Sequence, residues 1–178
     1  EDGYGWEKLF SERMCRHFTE DFGMETRVVR YHNIYGPRMG LKHAVPGIIK
    51  RMLEGESPFR IFGADETRAF CYVDDIVKGL ILLSKKNSGV NVYNIGNTQR
   101  VKMSELLDEI GRLLKCEYAV FEGKNEHAGG SMLRCPDISK IGYLGYKCSV
   151  PLSEGLLKTI KWYQDNLTKL NDVQSQIY

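Results

Sequence analysis

Tyr4 and Lys8 open the run YGWEKLFSERMCRHF, whose residue types predict a helix from about Gly3 to Phe22. Positions i and i+4 stand one above the other on a helix, so the phenol and the ammonium can be held on one face. Free tyrosine ionises near about pH 10, and a cation within a few ångströms favours its anion. A phenol brought nearer neutrality can take the proton of a hydroxyl while a hydride leaves the same carbon, which is general-base catalysis of an oxidation. The spacing recurs at Tyr143 and Lys147, but Gly145 between them is expected to end a helix, so those two need not share a face. An ordinary exposed helix pair is the plain alternative for Tyr4 and Lys8, and the rest of the chain has to decide.

Composition removes several classes of function. The chain has 178 residues, 42% hydrophobic and 27% charged, which suits one globular core. A net charge of +2, with Lys and Arg dispersed, argues against nucleic acid as a partner. Apolar runs such as Leu80-Ile81-Leu82-Leu83 fall far short of a membrane span, and no signal peptide is visible. Five cysteines (Cys15, Cys71, Cys116, Cys135, Cys148) are widely spaced and form no metal-type cluster, so no metal is expected and the thiols read as reduced and cytoplasmic. The chain opens on Glu1, not Met, with a candidate pair almost at once, and is expected to be part of a longer protein.

The elements that must position the pair alternate between helix and strand. After Gly23, Val28 and Val29 mark a short buried strand, and His32 to Pro46 reads as a loop at its end. Ligands of open α/β sheets sit beyond such strand ends. A short helix over GIIKRMLEGE, strands over PFRIFG and RAFCYV, and a helix from DDIVKG follow, the last with Asp74 or Asp75 as its cap. Then come a strand closing on Gly96, an amphipathic helix over KMSELLDEIGRLLKC, a strand over YAVF and a short helix after Pro136. A last helix is expected to be capped by Ser153, with a frayed tail at 171–178. His17 and His127 read as surface histidines, and Gly129-Gly130 as loop. The alternation predicts an α/β fold with a parallel sheet, the later half being a small α+β lobe. No Gly-rich dinucleotide turn is present: Gly36-Pro37-Arg38-Met39-Gly40 has the wrong spacing.

Read in order, YGWEK, RYHNIYGPRMG, AVP, IFGADETRAFCYVDDIV, NVYNIGN, RCPDISKI and a terminal helix with WY resemble the C-terminal half of the NAD-dependent nucleotide-sugar epimerase/dehydratase family, the extended short-chain dehydrogenases. The likeness runs from Tyr4 to about Leu167. It is greatest to the GDP-mannose 3,5-epimerase group, and TRAFCYVDD is also similar to UDP-glucuronate decarboxylases and UDP-hexose 4-epimerases. It implies the C-terminal part of a Rossmann-type doubly wound sheet, with residues 1–34 and 66–96 on the NAD side. Residues 35–65 and 97–170 would form the lobe for a GDP- or UDP-linked sugar.

The same resemblance implies roles. Tyr4 is the base, and Lys8 lowers its pKa and binds the nicotinamide ribose. Tyr31 and His32 lie at the NAD, and Asn33, Arg68 and Arg134 hold the diphosphate. Ala44, Val45, Pro46, Arg60, Ile61 and Phe62 cradle the base, and Lys42 or His43 is the second acid/base group. NAD takes a hydride from a sugar carbon, neighbouring C–H bonds become acidic, and epimerisation, elimination or decarboxylation follows before the hydride returns. Plain alternatives are loop satisfaction for Asn33, surface ion pairs for the arginines and simple packing for the apolar residues. A non-catalytic half-fold is a further alternative. The first helix carries a second apolar stripe, Trp6, Phe10 and Met14, opposite Lys8, Ser11, Cys15, Phe18 and Phe22. Relatives dimerise through this helix, so a homodimer through Tyr4–Phe22 is expected.

Overall fold

The computed structural model describes residues 2–85, 91–123 and 133–175; His127 and Gly129-Gly130 lie outside the described residues. Helix α1 (Asp2–Phe22) ends where Gly23 takes φ +66° and donates its N–H to Thr19 O at 3.0 Å. That left-handed turn is cheap only for glycine. Strand β1 (Arg27–Tyr31) follows; β2 (Ile34–Tyr35) lies inside the segment expected to be loop, and α2 (Ala44–Leu53) is the helix expected over GIIKRMLEGE, begun three residues earlier inside that segment. Pro46 sits in the first turn of α2, where a missing N–H costs no helical bond.

β3 (Phe59–Phe62) is as expected, but RAFCYV divides into β4 (Thr67–Ala69) and β5 (Cys71–Tyr72). The break falls at buried Phe70, whose carbonyl accepts from Asn97 Nδ2 at 3.1 Å, while the Cys71 N–H turns to Asn33 O, also at 3.1 Å. Helix α3 (Val73–Ser84) leads to β6 (Asn91–Ile95), β7 (Arg100–Lys102), α4 (Met103–Leu114), β8 (Val120–Gly123), β9 (Leu133–Arg134), α5 (Ser139–Gly142) and α6 (Leu152–Ser175).

The fold is α/β, and most of its strand pairs are parallel. β1 pairs with β6, Arg27 opposite Asn91 and Tyr31 opposite Ile95; β2 pairs with β5, and β3 with β8. β4 lies between antiparallel β7 and parallel β9. Val28 and Val29 are half-buried, not enclosed as expected, because among the described residues β1 is paired along one edge alone.

Helix starts also depart from expectation. Tyr72, not an aspartate, occupies the cap position of α3; Asp74 lies in its first turn, where a carboxylate meets the positive end of the helix. Asp75 is buried and accepts from the Ser149 and Val150 N–H groups at 2.8 and 2.9 Å and from Ser149 Oγ at 2.7 Å. Burial pushes its carboxyl up, but these bonds and Lys78 Nζ at 3.0 Å more than offset that and hold it below the usual range. Ser153 lies inside α6, where the Pro151 carbonyl accepts the Gly155 N–H at 3.0 Å and so begins the helix. The expected tail is helical through Ser175; residues 176–178 lie outside the described residues.

Two cores hold these elements. One gathers Tyr35, Ile49, Phe59, Leu106, Leu156 and Tyr163 between α2, α4 and α6. The other gathers Cys71, Ile76, Tyr93, Ile95, Ile141 and Tyr146 beneath α3. There a Cβ placed on Gly79 would stand 2.2 Å from Ile95 Cδ1, so only glycine lets α3 settle this closely on β6.

Candidate active site

Tyr4, Lys8, Ser11 and Cys15 of α1 and Val29, Tyr31 and His32 at the end of β1 line one cleft of about 480 Å³. Its two walls are tied by polar contacts. Arg30 Nε and Nη2 each donate to Glu12 at 2.7 Å, a paired fork that fixes α1 across β1. Thr26 Oγ1 lies 2.7 Å from Thr19 Oγ1 and donates to Cys15 O at 3.3 Å.

Lys8 Nζ lies 5.1 Å from the centroid of the Tyr4 ring, so the ammonium faces the aromatic surface as a cation–π partner. Tyr4 itself is 65% exposed and open to a ligand. His32 is fixed by its N–H, which donates to Ile95 O at 3.1 Å. Burial lowers its imidazole pKa; a hydrogen bond with Asn94 works against that, and the Arg30 charge adds to it. The ring is therefore neutral at physiological pH. Asn33 takes φ +42°, a left-handed conformation that asparagine tolerates, and its carbonyl accepts the Cys71 N–H.

A second cleft of about 250 Å³ gathers Lys42, His43, Ala44, Arg60, Ile61 and Phe62. None of these residues lines the first cleft. His43 holds the cap position of α2 through its carbonyl, which accepts the Gly47 N–H at 2.8 Å, and its side chain makes no cap bond. Val45 and Pro46 are buried and lie outside the lining of this cleft; Val45 belongs to the first core at 2% exposure, because its place on α2 faces α4 and α6. Sequence reasoning missed Arg51. Its guanidinium stacks 3.9 Å over the Phe59 ring, pairs with Glu56 and donates to Arg60 O at 2.8 Å, so it braces the cleft wall. An arginine five residues before Glu56 and eight before Phe59 was the available signal.

Arg68 and Arg134 stand opposite each other in the register of parallel β4 and β9, which directs both side chains to one face. Arg68 Nη2 donates to Glu66, and Nη1 donates to Thr67 O at 2.9 Å. Among the described residues no three His, Cys, Asp or Glu side chains are grouped to hold a metal, and no helix is long and apolar enough to cross a membrane.

The chain belongs to the NAD dependent epimerase/dehydratase family, whose sequence model matches residues 1–96. It is 32% identical over 175 residues to GDP-mannose 3,5-epimerase 1 of Oryza sativa subsp. indica, covering 95% of this chain and 46% of that protein. It is 35% identical over 164 residues to UDP-glucuronic acid decarboxylase 1 of Xenopus tropicalis, covering 90% and 38%. The chain therefore spans less than half the length of these two relatives. Among solved structures, UDP-glucuronic acid 4-epimerase from Bacillus cereus in complex with UDP-glucuronic acid and NAD superposes with a TM-score of 0.82 at 28% identity, over 91% of this chain and 52% of that one.

Proposed function

We propose that this chain carries the C-terminal part of an NAD-dependent enzyme that epimerises a nucleotide-diphosphate sugar through a transient ketone. The observation that carries the reading is the gathering of Tyr4, Lys8, Tyr31 and His32 around one cleft. NAD supplies the removal and return of a hydride at a sugar carbon. The cleft fits a nicotinamide: exposed Tyr31 and a neutral, half-buried His32 offer flat, uncharged surfaces, and Lys8 offers donors to a ribose hydroxyl. Tyr4 Oη takes the proton of the sugar hydroxyl as the base and gives it back. Arg68 and Arg134 hold the diphosphate from one face of the β4–β9 pair, with Asn33 donating from the end of β1. Ala44, Arg60 and Phe62 line the base pocket, and Lys42 or His43 supplies the second proton transfer.

Decarboxylation of a nucleotide-linked uronic acid is the second reading, supported by the 35% identity to the Xenopus tropicalis decarboxylase. Both run through the same ketone. The test is product analysis by NMR after the full-length protein meets GDP-mannose, UDP-glucuronate or UDP-glucose: a stereoisomer supports epimerisation, and carbon dioxide with a pentose supports decarboxylation. Tyr4→Phe lowers turnover by orders of magnitude and leaves sugar-nucleotide affinity nearly unchanged, since only the proton-carrying oxygen is lost. Wild-type-like turnover in that variant would remove Tyr4 from the mechanism.

The same reading gives a cytoplasmic homodimer. Trp6 and Phe10 are 67% and 66% exposed on the outer stripe of α1, as an apolar face awaiting a second copy would be. Phe10→Glu combined with Met14→Glu converts the dimer to a monomer in light scattering; an unchanged dimer places the interface elsewhere.

A further inference from the structure

Two thiols outside both clefts meet in the second core. Cys71, which begins β5, and Cys148, in the segment between α5 and α6, lie 77 residues apart in sequence, and their sulfurs stand 3.6 Å apart. Tyr146 closes the group, its Oη 3.5 Å from Cys71 Sγ, 3.4 Å from Cys148 Sγ and 3.2 Å from Gly96 O. Cys148 Sγ also lies 3.1 Å from Gly96 O. Both cysteines are free, as are Cys15, Cys116 and Cys135.

We propose that Cys71 and Cys148 are a thiol-oxidation site that hydrogen peroxide converts into a reversible disulfide. A sulfur–sulfur bond is about 2.05 Å long, so the pair must close by about 1.5 Å. Cys148 can supply that movement. It sits outside any helix or strand, three residues after Gly145, which turns the chain at φ +99°.

Exposure fixes the order of events. Cys71 is 1% exposed and Cys148 is partly exposed, so the oxidant meets Cys148 first. The hydrogen bond from Cys71 holds the Cys148 thiol down at about 7; burial opposes this, the Tyr146 hydroxyl and the Lys78 charge assist it, and the Asp75 charge resists it. Cys71 is pushed up, first by its bond to Cys148 and then by burial. One sulfur is thus the ready nucleophile and the other a protonated resolving group.

The Cys148 thiolate attacks one peroxide oxygen, the O–O bond breaks, and the departing oxygen leaves as water after taking a proton. Cys148 is then a sulfenic acid. Cys71 sulfur, losing its proton, attacks the Cys148 sulfur; the S–S bond forms, the S–O bond breaks, and a second water leaves. Two thiols lose two electrons in all, and one hydrogen peroxide is reduced. A thiol reductant reverses the step. The crosslink would fasten backbone beside the first cleft, since the Cys71 N–H donates to Asn33 O and a Cβ on Gly96 would lie 3.0 Å from His32 Cβ.

The test treats the intact, reduced protein with hydrogen peroxide under native conditions, blocks remaining thiols with N-ethylmaleimide and maps non-reduced peptides by mass spectrometry. The expected product is a peptide pair joined through Cys71 and Cys148, lost after dithiothreitol. In Cys71→Ser, dimedone should label Cys148 at least ten-fold above Cys15, Cys116 or Cys135. A disulfide joining any other pair, both thiols fully alkylated after peroxide, or label spread evenly over the cysteines would overturn the proposal. If Cys71→Ser fails to fold, the wild-type peptide map decides alone.

Discussion

Helix α1 and helix α6 are both long and both carry aromatic residues, yet the chain uses them in opposite ways. On α6, Leu156, Ile160 and Tyr163 are at most 3% exposed, packed between α2 and α4. On α1, Tyr4, Trp6, Phe10 and Phe22 are each 65% exposed or more. α6 is therefore placed by burial of apolar area, which is non-directional and strong. α1 is placed by a few polar ties: Glu12 to Arg30, and Thr26 to Thr19 and Cys15. Tyr4 is open on the side of the first cleft and Trp6 and Phe10 on the opposite stripe, and the directional ties fix the helix without closing either side.

Three changes would break or sharpen this contrast. Leu156→Ala, at a fully buried site, should cost about 2–5 kcal/mol of stability through lost transfer energy and the cavity left behind. Chemical denaturation measures it, and a loss under about 1 kcal/mol would mean that α6 is not the anchor described. Next in size, Arg68→Ala or Arg134→Ala in the full-length protein should weaken UDP or GDP binding about ten-fold or more, with little change in folding, because a charge-assisted contact is lost. Calorimetry showing unchanged affinity in both variants would refute the diphosphate role.

The smallest effect belongs to the tie itself. Glu12→Gln should cost about 1 kcal/mol or less, since the pair is partly exposed, yet it should speed hydrogen exchange along α1 and leave α6 unchanged. The same tie gives a pH dependence of known sign. The Arg30 hydrogen bond holds the Glu12 carboxyl below its ordinary range, opposed by burial and helped by the Arg30 charge. Its contribution is full above the unfolded value of about 4.3 and is lost as pH falls through the depressed folded value. Exchange along α1 that does not change on acidification below about pH 4 would remove Glu12 from this role.

The sequence made the helices legible, because periodic apolar positions such as Leu106, Leu107 and Ile110 report the local 3.6-residue repeat without reference to distant chain. Spacing put Tyr4 beside Lys8, and only the resemblance added Tyr31 and His32 to them. The short strand β2 was not legible. β2 is two residues long, fell in a segment read as loop, and exists because it pairs with β5 across intervening chain, which leaves no local period to read. Asp75 misled for the same reason: beside a helix start it has the signature of a cap, while its partners Ser149 and Val150 lie 74 and 75 residues on. For Val45 the sequence left packing and pocket lining open, and the face of α2 on which it falls puts it in the first core.

Asp75 has one more consequence, for the order in which the molecule is completed. A carboxylate at the base of α3 cannot be enclosed without its hydrogen-bond donors, and the backbone donors arrive only with residues 149 and 150. While the chain is being synthesised, Lys78 is the nearest of the four donor groups, and the first turn of α3 keeps its water until the final sixth of these residues has emerged. The second core is thus sealed late, by a loop and not by a helix, and a nascent chain stopped before Ser149 remains open there to chaperones and proteases.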